Sequence, residues 1–146
     1  MKVNIAETDK AVCGFCSEMR KTANDTSLNE KERKKQIKKQ RKAFGLKIKH
    51  TICYKILPFC DELTVKQVEK KKNGVHIVFE EHGAHGTCVE IKIKKYDGQL
   101  KEGDRVSASG KLLLQLSPYA FSEIYLSHAL YTAELIKANF TSVKGC

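Results

Sequence analysis

Between Arg105 and Gln115 the chain alternates. Val106, Ala108, Gly110, Leu112 and Leu114 take every second position, with Ser107, Ser109, Lys111, Leu113 and Gln115 between them. A period of two is that of a strand with one face in a core. The run Ala108-Ser109-Gly110 places almost no side chain at mid-strand, which predicts a sharp coil or the close approach of another backbone. Gly103 and Asp104 predict a turn just ahead of it. The alternation recurs at Leu46, Ile48, Ile52, Tyr54 and Ile56 against Lys47, Lys49, Thr51, Cys53 and Lys55, predicting a half-buried strand that is basic on its other side. Pro58 cannot donate to a ladder and predicts a break there. Further strands are predicted at 63–68, 75–80 and 88–94, the first two joined by an Asn-Gly hairpin across Lys70-Lys71-Lys72-Asn73-Gly74. A last strand is predicted from Glu123 to about Tyr131, with 132–140 extending it or forming a short helix.

Ahead of the strands the pattern changes. Residues 1–12 show no strong period, and Cys13-Gly14-Phe15-Cys16 reads as a C-x-x-C turn. Ser27 and Glu30 have the spacing of a capping box, predicting a helix from about Leu28 to Phe44 that Gly45 stops. Only Leu28, Ile37, Ala43 and Phe44 are apolar in it, so it has no core face. The chain therefore divides into a basic N-terminal extension, residues 1–45, and a β domain, residues 46–146.

Charge sharpens the picture of that helix. The net charge is +10, and between Lys31 and Lys49 ten basic residues face a single acid, Glu32. Like charges at i,i+4 cost a helix about 0.2–0.5 kcal/mol per pair, and a polyanion would offset that cost. Arg33, Lys34, Lys35, Lys38, Lys39, Arg41 and Lys42 are thus candidate phosphate contacts, the alternative being a solvated face on an arm. An anionic membrane fits less well, because the helix lacks the bulky apolar face that insertion needs. No apolar run approaches the roughly 20 residues of a bilayer span, and MKVNIAETDK has no apolar signal core. An intracellular protein, in cytoplasm, nucleoid or nucleus, with no membrane partner is expected.

Six cysteines in such a chain leave free thiols, redox chemistry or metal as the choices. Cys13 and Cys16 could bring two thiolates to one zinc, and a tetrahedral site then needs two more ligands. Cys53 and Cys60 are the preferred pair, with His50 as substitute, so that the basic helix becomes a zinc-held finger. Structural zinc, buried thiols and a redox dithiol remain open. The run EEHGAHG at 80–86 reads as a flexible turn, Cys88 as a half-buried thiol and Cys146 as part of the terminus. There is no Ser/His/Asp order, no phosphate-binding glycine loop and no paired carboxylates in a pocket context, so the chain is read as no enzyme.

Several short strands with tight turns, a long bent strand introduced by GDRVSASGKLLLQ and a final strand after a longer loop resemble the OB-fold. That stretch looks like the fourth strand of such domains, with its GD-x-V-x-x-x-G-x-L pattern, and NGVHIVFEEHGAHGTCVEIKI looks like the second and third. The resemblance covers roughly Leu46 to Leu135. It implies a mainly β protein: a five-stranded Greek-key barrel of the single-strand-binding or replication-protein-A-like kind, here with an N-terminal basic helix. It also implies binding of single-stranded nucleic acid, DNA in preference to RNA, in replication, repair or DNA transfer, with backbone contacts at Lys70, Lys71 and Lys72, the alternative there being a solvated turn, and on the strand face at Lys92. Where many such domains carry an aromatic on the second or third strand, this chain has His76, Val78, Glu80, Cys88, Glu90, Lys92 and Lys94 outward. Base contacts are accordingly expected at Tyr119 and Phe121 in the last loop, and at Tyr96 or Tyr125. The alternative expectation is a protein-protein adaptor of the same fold, tethered to a nucleoprotein complex by its basic helix, with other replication or repair proteins as partners; an RNA- or ribosome-associated factor is a third.

Overall fold

The computed structural model describes residues 2–49, 52–72, 74–79, 89–93, 99–116 and 131–142. The chain begins with a helix, α1 (Ile5–Ala23), where the sequence pattern predicts none. Asn4 caps it, its side chain accepting from the Glu7 N–H at 2.8 Å, and Arg20 and Lys21 sit in the last turn, where cations favour the helix dipole. Its buried stripe is Ile5, Thr8, Asp9, Val12, Cys16, Met19 and Thr22. Spacings of three and four are helical, but three members are polar, and they dilute the apolar period. Cys13 and Cys16 therefore lie one turn apart on a helix and not in a turn.

Two of those polar members have partners that explain their place. Asp9 accepts from the Tyr131 hydroxyl at 2.8 Å, and the Thr22 hydroxyl accepts from Gln40 Nε2 at 2.9 Å. A buried hydrogen bond to an acidic side chain is worth about 1.5–3 kcal/mol. Tyr131→Phe is expected to lower stability by about 1.5 kcal/mol, read from the shift in urea midpoint at unchanged m-value. A loss below about 0.5 kcal/mol would mean that the contact does not hold the helix to the strands.

The second helix, α2 (Glu30–Phe44), starts two residues later than predicted. Asn29 supplies the cap, accepting from the Glu32 N–H at 2.8 Å. Ser27 turns back instead to Asp25, donating its N–H at 3.0 Å and its hydroxyl at 2.6 Å to one carboxylate oxygen. Those two bonds hold the Asp25 carboxyl below its ordinary range. The stop at Gly45 is as predicted: φ is +84°, Gly45 N–H donates to Lys42 O, and Leu46 N–H donates to Arg41 O. No residue of α2 is buried.

Among the described residues six strands follow: β1 (Lys47–Lys49), β2 (Ile52–Lys71), β3 (Gly74–Phe79), β4 (Val89–Ile93), β5 (Arg105–Leu116) and β6 (Tyr131–Ser142). Residues 132–140 are thus strand, while 123–130 lie outside the described residues. The sheet order is β1-β2-β3-β4-β6-β5, and β5 also pairs with β2. The order β2-β3-β4-β6-β5 consequently returns to β2, which pairs with β1 as well. Within it, β5-β2-β3-β4 is Greek-key order, and β4 runs parallel to β6 while the other pairs are antiparallel.

Pro58 does not break β2. Its carbonyl accepts from Val3 N–H, and the N and C=O of one strand residue face the same edge, so the missing donor faces Val3 and not β5. Cys60 N–H then donates to Val3 O, and Asp61 accepts from Ile5 N–H at 3.2 Å, which leads the chain into α1. Because β2 is continuous, its phase is set by Phe59, Leu63 and Val65, all fully buried. Ile52, Tyr54 and Ile56 fall on the opposite phase and face outward, the reverse of the expected burial. Ile5, Val12 and Cys16 of α1 share one core with Phe59, Phe79, Leu112 and Leu114 from the strands.

Gly110 lies where β5 and β6 slip by one residue, between Ser109 and Lys111. A Cβ there would stand 2.8 Å from Lys137 O and 2.9 Å from Ala138 Cα. The close backbone approach read from Ala108-Ser109-Gly110 is present, and β6 is the strand that makes it.

Candidate nucleic-acid interface

Helix α2 rests on α1 through one stripe. Phe44 stacks on Phe15 with centroids 4.2 Å apart, Gln40 reaches Thr22, and Arg33 donates to Asp25 O at 3.3 Å. Arg33, Ile37, Gln40, Arg41 and Phe44 are half-buried along it, at spacings of three and four. The rest of the helix is exposed and carries Lys31, Lys34, Lys35, Lys38, Lys39 and Lys42. The seven expected phosphate contacts are therefore divided: five lysines face outward, and the two arginines lie on the packed side. Lys31 belongs with the outward group and was not among them; its place follows from the helical phase once Arg33 and Ile37 are known to face α1. Lys34 pairs with Glu30 at 3.3 Å, an exposed pair of little strength.

The C-terminal end of α2 is fastened to the sheet by Lys55. Its ammonium hydrogen-bonds the Phe44 carbonyl and sits 4.1 Å from the centre of the Phe44 ring. Burial pushes the Lys55 pKa down. Past Gly45 the basic character continues into β1, where Lys47 and Lys49 are exposed.

The remaining basic candidates lie elsewhere. Lys70 and Lys71 end β2 and Lys72 begins the hairpin to β3, all exposed, fifteen residues along the strand from Lys55. Lys71 is 3.9 Å from Glu69. Lys92 stands on β4 in register with His76. On the outer face of β3 and β4, His76 lies between Glu69, at 4.0 Å, and Glu90, at 3.4 Å, and Glu90 is in register with Glu134 on β6. Three carboxylates make this face poor ground for phosphate. Tyr119, Phe121, Tyr96, Tyr125 and His50 lie outside the described residues.

Among the described residues the cysteines are not gathered. Cys16 is fully buried in the core and Cys13 is half-buried beside it, its thiol 3.8 Å from Asp9 Oδ1. Burial, with the Asp9 carboxylate adding to it, pushes the Cys13 thiol up to about 11, and burial pushes Cys16 up to about 11. Both are neutral thiols at physiological pH, the opposite of a reactive dithiol. Cys53 is buried and Cys60 exposed on the same strand, and seven steps of β2 separate them by roughly 23 Å. The two sulfurs expected to complete one tetrahedral site are thus at different places on opposite faces. Among the described residues no group of three His, Cys, Asp or Glu side chains is placed to hold a metal ion. Nor is any helix among them long and apolar enough to cross a membrane. Comparison with protein-family models, with curated proteins and with solved structures finds no match to this chain.

Proposed function

We propose that this chain binds single-stranded nucleic acid, DNA in preference to RNA, on an OB-like five-stranded Greek-key barrel extended by a basic helical hairpin. The observation that carries the reading is the outward face of α2: six exposed lysines with no buried residue behind them, leading by way of Gly45 into Lys47 and Lys49. Such a face stabilises nothing inside the protein and repels itself, so its use lies in an anion outside. The barrel part is supported by the strand order, in which β2-β3-β4-β6-β5 returns to β2, and by the Greek-key arrangement of β5-β2-β3-β4. The acidic surroundings of His76 favour a strand path along α2 and β1 over one across β3 and β4.

The test is fluorescence anisotropy of labelled single-stranded DNA, single-stranded RNA and duplex DNA over a salt series. Single strands are expected to bind at micromolar concentration or tighter, with log K falling by about 0.7 per log unit of salt for each phosphate contact. No binding of any of the three at low salt would overturn the proposal, and tighter binding of duplex would redirect it.

A further inference from the structure

The outer face of β1, β2 and β5 is apolar where an antiparallel sheet facing water is ordinarily polar. The register places Lys47 beside Tyr54 and Lys49 beside Ile52, then Tyr54 beside Gln115, Ile56 beside Leu113 and Pro58 beside Lys111. Ile52 and Ile56 are 43% and 45% exposed, and Tyr54 and Leu113 are half-buried between them. Lys49, Ile52, Tyr54, Leu113 and Gln115 line a depression of about 430 Å³. None of this surface is needed by the core, which Cys53, Phe59 and Leu63 fill from the other side of the same strand.

Charge says what would cover it. Lys47 and Lys49 border the tract on the β1 side and Lys111 at its far end, all exposed. Among the described residues the nearest carboxylate in register is Glu134, half-buried beyond Leu113 on β6. An occupant with apolar planar faces joined to anionic groups matches that layout, and a nucleobase on its phosphate has this form. We infer that Tyr54, flanked by Ile52, Ile56 and Leu113, is the platform on which bases of a bound single strand stack, while Lys47, Lys49 and Lys111 take its phosphates. This rests on the reading of the chain as a single-strand binder and assigns the base contacts to the β1-β2-β5 face.

The experiment compares a labelled oligothymidylate with an abasic strand of the same length, using the full chain and its Tyr54→Ala and Tyr54→Phe variants. Wild type is expected to prefer the base-bearing strand. Tyr54→Ala should weaken that strand about tenfold while leaving abasic affinity and the salt slope unchanged, and Tyr54→Phe should retain binding. The melting temperature of each variant shows that it is folded, and Tyr54→Phe keeps the test valid if the alanine variant is not. Equal affinity of wild type and Tyr54→Ala for oligothymidylate overturns the platform but not single-strand binding, which fails only if neither strand binds any form. Concentration-dependent self-association lost in Ile56→Ser, with base preference intact, would overturn the platform by making the face a contact between copies. Capture of an apolar peptide there, again with base preference intact, would overturn it in favour of an adaptor.

Discussion

Replacing Lys35, Lys38, Lys39 and Lys42 together by alanine is expected to lower affinity for a single-stranded oligonucleotide by roughly several hundredfold at about 0.1 M salt. The magnitude follows from counterion release. Each phosphate contact on a single strand contributes about 0.7 to the salt slope, so four contribute about 2.8, or nearly three decades at about 0.1 M. The slope itself should become shallower by about the same 2.8. Stability should not fall with it. All four side chains are exposed on a helix with no buried residue, alanine is the better helix former, and removing lysines relieves repulsion along the face. The variant should therefore melt at or slightly above the parent, a combination that a structural role for these lysines would not give. Anisotropy over a salt series, with a Lys66→Ala variant as an exposed control on β2, measures both quantities. Affinity and slope within twofold of the parent would remove α2 from the interface.

What made α2 legible in advance was chemistry that needs no tertiary context: eight basic residues against two acids, a polar helix and a glycine stop. Its companion α1 was hidden because the positions facing the core include Thr8, Asp9 and Thr22. Asp9 and Thr22 find partners there in Tyr131 and Gln40, which lie 122 and 18 residues away in the chain. The outward apolar face was hidden for a related reason. Ile52, Tyr54 and Ile56 look like a core face until β2 is known to run through Pro58, and that continuity depends on Val3 pairing with the edge the proline faces. Gly110 stood out because small residues at mid-strand leave room for a sharp coil or for another backbone wherever they occur. Spacing alone describes a metal site only when the intervening chain is compact, and between Cys53 and Cys60 it is extended.

The same single-methyl change, glycine to alanine, should act with opposite signs at Gly110 and Gly14. At Gly110 the new Cβ would stand 2.8 Å from Lys137 O and 2.9 Å from Ala138 Cα, and φ is +156°, a conformation that L side chains rarely adopt. Both obstructing atoms are backbone of β6, held by the ladder on either side of the slip. Neither can rotate away, and Lys137 already sits at a φ of 50°. Relief requires the two strands to part where Ala108 and Leu112 meet the core, which should cost about 3 kcal/mol. In a chain of this size, that corresponds to a melting temperature lower by about 10 °C. Gly14 is exposed in the middle of α1 with nothing within 4 Å of its added Cβ, so alanine there should gain up to about 1 kcal/mol of helix propensity and raise the melting temperature by a few degrees. Thermal unfolding of the two variants side by side isolates the backbone contact from any general effect of the added methyl. If Gly110→Ala melts within about 2 °C of the parent, β6 does not press on β5 at that point, and the slip between Ser109 and Lys111 has some other cause.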